Sequence, residues 1–391
     1  MRQAFAFLKK KIKSQSGLLG RLLNVNLLSK EQTAKLLAST AQELLHCAGE
    51  EVVLPAVRSL AADGKQLFPE HTIATGAACA WQYANSAGAA TQLRNGSIRL
   101  GRKVLDIGLG NSVVLTDLLK QARYSRRAGR QVGLLVAPWT YYWGGYFDLM
   151  LFAMVNVSRS KAALSATDFA QATVAFPLTG ATFERDILAL LGVKLENIVD
   201  SRTTKVVFER CVVANVDSWF YPNRHDILAF KQQIEAALHL PASPPSRRLY
   251  MQRAGRRKVL NENALRKLLA KYDIEFIEDV PRPFAEQVQL YRDAAFVMGP
   301  HGASFANILW CQPGAQLLEL FAPAYVPPYF RYLATVLELG YLAYCPEPPR
   351  GSDHSHVSDD VWVDVAELEE YFVQLFGPVP AVLAQNSAGY N

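Results

Sequence analysis

After residue 248, short apolar runs alternate with amphipathic runs, and this regular order leaves few choices for the fold. The apolar runs "RLYMQ", "IEFIE", "AFVMG" and "QLLELF" have the length and composition of buried strands. Between them, "ENALRKLLAKY" and "FAEQVQLYRDA" place apolar residues at helical spacing, and "ASFANIL" predicts a short helix. Strands that alternate with helices indicate a parallel sheet covered on both faces, so we predict a Rossmann-like domain over residues 249–391.

A Pro-rich stretch separates this domain from the preceding chain. The stretch "LPASPPSRR" can neither extend a helix nor enter a central sheet, so we predict a linker over residues 241–248. Upstream, predicted strands and helices alternate again, and we predict an α/β domain over residues 46–240. Its elements are a strand at "QVGLLVAP" (131–138), helices at "YFDLMLFAMVNV" (146–157) and "TFERDILALLG" (182–192), and one strand or two at "KVVFERCVVAN" (205–215).

Residues 1–45 are predicted to form a helical, basic extension. The stretch "SKEQTAKLLASTAQELLHCAG" spaces its apolar residues as a helix does, with Ser29 as the cap. With 391 residues, the chain is longer than one hydrophobic core usually supports. The predicted fold class is therefore α/β, with two Rossmann-like domains facing a cleft and an N-terminal helical extension.

Positive charge is concentrated in three clusters. The formal net charge is +6, and Lys and Arg are clustered at 9–13, 120–130 and 247–258. Nucleic acid, an anionic membrane surface or an anionic small substrate would each attract such clusters. Solvated surface charge is an equal alternative for the first two. The third follows a predicted strand, which favours an anionic substrate.

The sequence indicates no membrane span, secretory signal or metal site. No run of about 18 apolar residues occurs, and "MRQAFAFLKKKIK" lacks an apolar stretch with a cleavage site, so we predict a cytoplasmic protein. The five cysteines include no CxxC pair and are odd in number, so they indicate neither zinc nor a disulfide framework. The cluster "DHSH" (353–356) could ligate a metal, but a short cluster in such a loop is more often surface, and no DxD follows a strand. We predict neither a metal nor a cofactor.

An anion site is predicted where the strand "AFVMG" ends. Gly299 and Gly302 flank a strand-to-helix turn at a carboxyl end, where open α/β sheets bind ligands. The N–H groups and dipole of the following helix favour a phosphate. Gly302 allows the backbone a close approach, and His301 could donate a hydrogen bond to phosphate or sugar.

The loop after "RLYMQ" adds arginines to this predicted site. Arg253, Arg256, Arg257 and Lys258 follow the strand, and guanidinium groups bind a pyrophosphate through paired hydrogen bonds. Asn261 could bind the donor or cap the next helix. Gln287 is either a ligand contact or a solvated helix residue.

Glu319 comes near the end of the following strand. In a parallel sheet it would reach the same rim, where a carboxylate could accept hydrogen bonds from the two hydroxyls of a ribose. A half-exposed strand face would equally explain a carboxylate between Leu318 and Leu320.

A second glycine motif, "KVLDIGLGNSVVL" (103–115), is the start of a cofactor fold or a hairpin. Dinucleotide folds need a helix after G-x-G-x-x-G. Gly108 and Gly110 are followed by β-branched residues, which favour a hairpin between two strands.

The C-terminal motifs together resemble the signature of glycosyltransferase family 61, whose bacterial members are often labelled capsular polysaccharide biosynthesis proteins. That signature combines an arginine after a strand, N-E at a helix start, E-Q on the next helix, G-x-H-G-A, a downstream Asn, P-G and a strand ending in E-L. The matching positions here are Arg253, Asn261, Glu262, Glu286, Gln287, Gly299, His301, Gly302, Ala303, Asn307, Pro313, Gly314 and Glu319.

The resemblance implies a GT-B fold, a nucleotide-sugar donor bound mainly by the C-terminal domain, and inverting, metal-independent transfer. The sequence departs from the family pattern in two places, at residues 144–145 and at residue 304. Gly144 and Gly145 stand where members often have a His-Trp pair, although the acidic residue that follows is kept as Asp148. Ser304 stands where many members have glycine.

Inverting transfer needs a base that deprotonates the acceptor hydroxyl. Asp148 is the first candidate because it is on the domain opposite the predicted donor site. A helix-start carboxylate that faces the helix dipole is the equal alternative for this residue. His301 is the second candidate.

We predict a cytoplasmic glycosyltransferase that moves a hexose or pentose from a nucleotide-diphosphate donor to a glycan or lipid-linked glycan in capsular or cell-surface polysaccharide synthesis. The basic N-terminus could hold it at the inner face of the membrane, and no nucleic-acid partner is predicted. Two alternatives are an S-adenosylmethionine-dependent methyltransferase built on residues 103–115 and a non-catalytic nucleotide-sugar-binding scaffold of polysaccharide assembly.

Overall fold

The computed structural model describes residues 25–86, 88, 90–106, 128–138, 145–216, 218, 220–241, 243–347 and 359–378. Its strands are β1 (Asn26–Leu27), β2 (Gln42–Cys47), β3 (Glu51–Leu54), β4 (Val57–Arg58), β5 (Gln66–Phe68), β6 (His71–Ala74), β7 (Ala78–Ala84), β8 (Ala90–Gln92), β9 (Ile98–Leu100), β10 (Lys103–Val104), β11 (Arg130–Ala137), β12 (Thr173–Phe176), β13 (Ile198–Asp200), β14 (Val206–Ala214), β15 (Arg247–Met251), β16 (Ile274–Ile277), β17 (Ala294–Pro300), β18 (Gln316–Leu320) and β19 (Gly340–Tyr344).

The α-helices are α1 (Lys30–Thr40), α2 (Tyr146–Asp148), α3 (Val155–Ala163), α4 (Ala166–Gln171), α5 (Thr182–Leu190), α6 (Arg224–Leu238), α7 (Glu262–Lys271), α8 (Phe284–Arg292), α9 (Tyr329–Val336) and α10 (Val365–Phe376). A π-helix, Leu149–Met154, joins α2 to α3. Within the described residues, 3₁₀-helices cover Leu195–Asn197 and Ala303–Trp310.

The chain divides into two compact units. The first comprises residues 1–50 and 75–239, and the second comprises residues 51–74 and 240–391. The sequence pattern predicts residues 51–74 to be part of the N-terminal domain. The segment instead forms two strand pairs, β3 with β6 and β4 with β5, and the Leu60 N–H donates to the Ala343 carbonyl of β19 at 2.8 Å. Strand β15 begins at Arg247, inside the predicted linker.

The first unit is built on a six-stranded mixed sheet with the order β13-β12-β11-β14-β7-β2. The four strands from β13 to β14 are parallel, whereas β7 and β2 run antiparallel to their neighbours. The strand predicted at 131–138 is confirmed as β11, and the run at 205–215 forms the single strand β14. The helices predicted at 146–157 and 182–192 are also confirmed.

The predicted N-terminal helix is correct only in its first part. Ser29 caps α1 in a reciprocal capping box with Gln32, as expected. The helix ends at Thr40, and residues 42–47 form the edge strand β2. The Ser39 and Thr40 hydroxyls donate back to the Leu36 carbonyl at 2.9 and 2.7 Å, a competing bond that weakens a helix near its end. The following residues instead form backbone hydrogen bonds with β7 on one side of the strand.

The second unit contains a five-stranded, all-parallel sheet with the order β16-β15-β17-β18-β19. The elements that the alternation predicted after residue 248 are confirmed in type and order. In order along the chain these strands read 2-1-3-4-5, one of the two common doubly wound arrangements. The connection therefore reverses direction between β15 and β17, and in such sheets ligands bind outside the carboxyl ends of the strands at this point.

The described helices include none with the length and apolar character needed to cross a membrane.

Candidate functional site at the carboxyl edge of the second sheet

Strands β15 and β17 come close together at the point where the strand order reverses. A side-chain carbon placed on Gly299, near the end of β17, would lie 2.6 Å from the Met251 carbonyl oxygen and 3.3 Å from the Phe305 ring. No real side chain tolerates such a distance to backbone. Glycine at this position therefore lets the two strand ends pack side by side and brings the loops that follow them together.

The Arg253 side chain lies against the bare α-carbon of Gly302. Its Nη1 donates to the His301 carbonyl at 3.1 Å, and its Nε donates to the Arg256 carbonyl at 2.6 Å. A β-carbon on Gly302 would lie 1.4 Å from Nη1. Gly302 has an extended backbone with φ −176°, so space for the guanidinium, and not backbone conformation, requires glycine here.

Arg257 adds a second buried guanidinium. Its φ is +62°, in the left-handed region that costs a non-glycine residue energy. The side chain is 9% exposed, and its Nε has no hydrogen-bond partner among the described residues. Its Cζ lies 5.2 Å from the centre of the Tyr325 ring. A strained backbone and an unsatisfied donor in one residue indicate a group held ready for a ligand.

The positive charges of the arginines in this loop repel one another. Burial, followed by the charges of Arg257 and Arg256, lowers the pKa of Arg253 to about 10. Burial and the Arg256 charge likewise lower the pKa of Arg257. The opposing carboxylates, Asp279 near Arg253 and Glu319 near Arg257, only partly offset these effects. An anion bound here would relieve the repulsion.

The 3₁₀-helix Ala303–Trp310 begins beside these arginines. Its first backbone bond runs from the Phe305 N–H to the Gly302 carbonyl at 3.0 Å, so the N–H groups of Ala303 and Ser304 precede the bonded part of the helix. Asn307 is fully buried; its Nδ2 donates to the Ser304 carbonyl at 2.9 Å, and its Oδ1 accepts from Trp310 Nε1 at 3.3 Å. In this structure Asn307 braces the helix from within.

His301 is held by a buried carboxylate and by aromatic rings. Its Nδ1 pairs with Glu319 Oε1, and the Tyr341 hydroxyl donates to Glu319 Oε2 at 2.7 Å. The imidazole stacks on Phe321 with the ring centres 5.5 Å apart. Because Nδ1 is engaged, Nε2 is the nitrogen that remains for a ligand, and the carboxylate fixes the orientation of the ring.

The position of Glu319 differs from both of its sequence-based interpretations. We expected either a rim carboxylate for a ribose or a half-exposed strand face, but the residue is 0% exposed and both of its oxygens accept hydrogen bonds. The carboxylate is buried because β18, the fourth of five strands, has a neighbouring strand on each side. On one of these neighbours, β19, the Tyr341 hydroxyl donates to the carboxylate. The structure thus assigns Glu319 to positioning His301.

Asn261, another predicted donor residue, holds a neighbouring segment. Asn261 Nδ2 donates to the Val363 carbonyl at 2.6 Å, and its Oδ1 accepts from the Val363 N–H at 3.1 Å. The side chain makes no capping bond to α7, so the capping alternative is not supported. Gln287 is half-buried on α8.

Tyr325 and Tyr341 could not be predicted from the sequence, because neither lies in a recognisable motif or follows the end of a predicted strand.

Asp148 is in the first unit and is described within that unit alone. It is 7% exposed and ends α2, immediately before the π-helix. A β-carbon on Gly145 would lie 2.8 Å from Asp148 Oδ2, so the carboxylate packs against the backbone that caps the helix. This position agrees with the dipole alternative, while π-helical turns are frequent at functional sites. Gly144 is outside the described residues.

The second unit thus has the features of α/β proteins that bind anionic ligands at the switch point of a parallel sheet. The family model of glycosyltransferase 61 matches residues 111–318, more than half of the chain, and the chain belongs to this family. A curated relative is the EGF domain-specific O-linked N-acetylglucosamine transferase of Drosophila melanogaster, which is 31% identical over 100 residues. That match covers 24% of this chain and spans only 19% of the relative's length.

Proposed function

We propose that the protein is an inverting, metal-independent glycosyltransferase that uses a nucleotide-diphosphate sugar and binds it at the carboxyl edge of the second sheet. The contact between the Arg253 guanidinium and the bare α-carbon of Gly302 carries the proposal, because it keeps a fork of N–H donors at the switch point. Membership of glycosyltransferase family 61 supports the class of reaction.

The leaving group of such a transfer is a nucleoside diphosphate, which gains negative charge as the glycosidic bond breaks. Arg253 and Arg257 would neutralise that charge, and the first N–H groups of the 3₁₀-helix would add hydrogen bonds. Nε2 of His301 would bond a phosphate oxygen or a sugar hydroxyl. Gly299, Ala303, Asn307 and Asn261 would shape this surface by allowing close approach or holding the loops, and Gln287 remains a proposed donor contact.

The acceptor hydroxyl attacks the anomeric carbon opposite the departing diphosphate, and a base removes its proton. Asp148 is the proposed base. His301 is the second candidate, because Glu319 would stabilise the ring after it accepts a proton at Nε2.

The proposed acceptor is a glycan or lipid-linked glycan of a capsular or cell-surface polysaccharide. We further propose a cytoplasmic location, with the basic N-terminus holding the protein near an anionic membrane. The name of the Drosophila relative makes a nucleotide-linked N-acetylglucosamine a first donor to test.

A transfer assay tests the proposal. Purified protein is incubated with a panel of nucleotide sugars and candidate glycan acceptors, with and without a chelator, and released nucleoside diphosphate is measured. We expect release with one donor, unaffected by the chelator, and NMR should show the inverted anomeric configuration in the product. Asp148→Asn should abolish transfer and leave donor binding intact. Retention of configuration, or full activity of Asp148→Asn, would contradict the mechanism.

The two alternatives predict other outcomes. A methyltransferase would be stabilised against heat by S-adenosylmethionine and not by nucleoside diphosphates. Against it, Lys103–Val104 is a two-residue strand of a small mixed sheet, parallel to β1 and antiparallel to β9, whereas a cofactor strand belongs in a large, mostly parallel sheet. Gly108 and Gly110 lie outside the described residues. A scaffold would bind nucleotide sugars yet give neither hydrolysis nor transfer with any acceptor.

A further inference from the structure

Three side chains with different metal-binding atoms meet at the edge of the first unit's sheet. Glu43 and His46 are on the edge strand β2, and Cys79 is on its neighbour β7. One ligand atom from each lies within 4.8 Å of the other two. The proposed transfer chemistry uses none of these residues.

A β-bulge brings them to one face of the sheet. His46 and Cys79 are directly opposite each other in the β2–β7 register, whereas Glu43 is three residues before His46. In a regular strand, residues three apart point to opposite faces. The register shifts between Glu43 and Leu45, and a bulge of this kind turns the preceding side chain to the other face.

Two of the three interatomic distances match those around a tetrahedral zinc ion. Cys79 Sγ lies 3.4 Å from His46 Nδ1, and the same Nδ1 lies 3.6 Å from Glu43 Oε2. With Zn–S near 2.3 Å and Zn–N or Zn–O near 2.0–2.2 Å, tetrahedral angles separate such ligand pairs by roughly 3.3–3.6 Å. We propose that Glu43, His46 and Cys79 bind a divalent transition metal ion, with Zn²⁺ the best match, and leave one coordination position for water.

The first unit also holds the sulfur ligand in place. The Cys79 N–H donates to Asn215 Oδ1 at 2.8 Å, and its carbonyl accepts from Arg159 Nη1 at 3.0 Å. Cys79 is buried, whereas the side chains of His46 and Glu43 are about half exposed, so an ion could enter from solvent. The bound ion would pin the edge strand β2 to β7.

A reactive thiol is a weaker interpretation of the same residues. Burial, with a contribution from the Glu43 carboxylate, raises the pKa of the Cys79 thiol to about 11. Without a cation this thiol is protonated at neutral pH, which does not suit a nucleophile or a redox sensor.

Cobalt titration tests the site because Co²⁺ replaces Zn²⁺ and reports thiolate coordination by an ultraviolet charge-transfer band. Reduced full-length protein is stripped with a chelator, desalted and titrated with Co²⁺, and Zn²⁺ is then added. We expect the band to saturate at one equivalent and to disappear with Zn²⁺. Cys79→Ser should remove it, and His46→Gln and Glu43→Gln should each weaken Co²⁺ binding at least about tenfold, the smallest effect seen even for outer-shell partners.

Two controls separate this site from other metal binding. Cys47→Ser removes the neighbouring thiol on β2 and should keep the band. A His354→Gln/His356→Gln variant, which alters the "DHSH" cluster outside the described residues, should also keep it. The proposal fails if wild-type protein gives no thiolate band, or if Cys79→Ser retains it. If Cys79→Ser does not fold, the proposal is overturned equally if His46→Gln and Glu43→Gln bind Co²⁺ with unchanged affinity.

Discussion

At the level of single residues, the predicted site depends on the absence of a side chain at Gly302. In Gly302→Ala, the added methyl group and Arg253 Nη1 would be 1.4 Å apart, so the guanidinium must leave its position. Loss of a charged hydrogen bond costs about 1.5–3 kcal/mol, which is roughly tenfold or more in affinity. We expect Gly302→Ala to weaken nucleoside diphosphate binding by that factor, measured by the ligand-induced rise in melting temperature.

Gly255 provides a matched control for this variant. It lies in the same arginine loop, and an added β-carbon there meets no atom within 4 Å. Gly255→Ala should therefore bind like the wild type. Normal binding by Gly302→Ala would show that the Arg253 position is not needed.

Tyr341 would act on a bound nucleotide through Glu319 and His301. Burial and Glu319 raise its pKa well above the usual tyrosine value, so it remains a hydrogen-bond donor to Glu319 across the physiological range. In Tyr341→Phe, Glu319 loses one of its two partners and His301 is less firmly oriented. Because the lost bond is to a buried carboxylate, we expect the variant to lose about 1.5–3 kcal/mol of stability and to bind nucleoside diphosphate several-fold more weakly in calorimetry.

Tyr344 allows the two effects to be separated. It is on the same strand, and its hydroxyl donates to a different carboxylate, Glu367, at 2.6 Å. Tyr344→Phe should lose similar stability and keep full affinity. Equal losses of affinity in both variants would mean that Tyr341 matters only for folding.

The sequence predicted which residues come near the site better than it predicted their contacts. Gly299, His301 and Gly302 could be placed because they follow a predicted parallel strand, and the carboxyl ends of such strands lie at one edge of the sheet. The burial of Glu319 could not, because it depends on Tyr341, a residue on the next strand with no local signal. The same holds for Cys79 and His46, which only the pairing of β2 with β7 brings together.

At the level of elements, one buried ion pair joins two helices of the first unit to its sheet. Arg159 on α3 donates through Nε to Asp226 on α6 at 2.9 Å, and through Nη1 to the Cys79 and Asn215 carbonyls. Removal of one partner of such a pair leaves a buried charge and costs about 3–5 kcal/mol. We therefore expect Arg159→Met to lower the free energy of unfolding by that amount in urea denaturation.

The exposed pair in the same unit gives the comparison. Arg210 pairs with Asp168 at 2.7 Å, and both side chains are more than a third exposed. Arg210→Met should cost about 1 kcal/mol or less. Similar values for the two methionine variants would contradict the structural role given to Arg159.

Strands and helices were predicted correctly where residues that break helices and strands flank the apolar runs. In the second unit, loops with Pro, Gly or charged residues separate strands from helices, and the succession of strands and helices along the chain was predicted correctly. It failed at residues 42–47, because "QELLHC" suits a helix or a strand and the pairing with β7 decides between them. No local sequence signal assigns residues 51–74 to the second unit either.

At the level of the whole molecule, the chain contributes a distant segment to the unit that holds the proposed donor site. Phe68, in residues 51–74, contacts Phe321 with the ring centres 6.2 Å apart, and Phe321 stacks on His301. Arg331 Nη1 also donates to the Pro69 carbonyl at 3.1 Å. We expect the amides of β3 and β6 to show the same opening free energy as those of β18 and β19 in native-state hydrogen exchange across a urea series. Exchange together with β7 and β14 would place the segment with the first unit.

The central claim is that a nucleoside diphosphate binds where β15 and β17 end. Calorimetric titration of UDP and GDP into the wild type, Arg253→Ala and Arg247→Ala tests it most directly. Arg247 is at the amino end of β15, where it only pairs with Glu275 at the surface, so its loss is the matched control. We expect Arg253→Ala, like His301→Ala, to bind more than about tenfold more weakly, and Arg247→Ala to bind like the wild type. Equal affinity of Arg253→Ala and the wild type, or no binding of any nucleoside diphosphate, would contradict it.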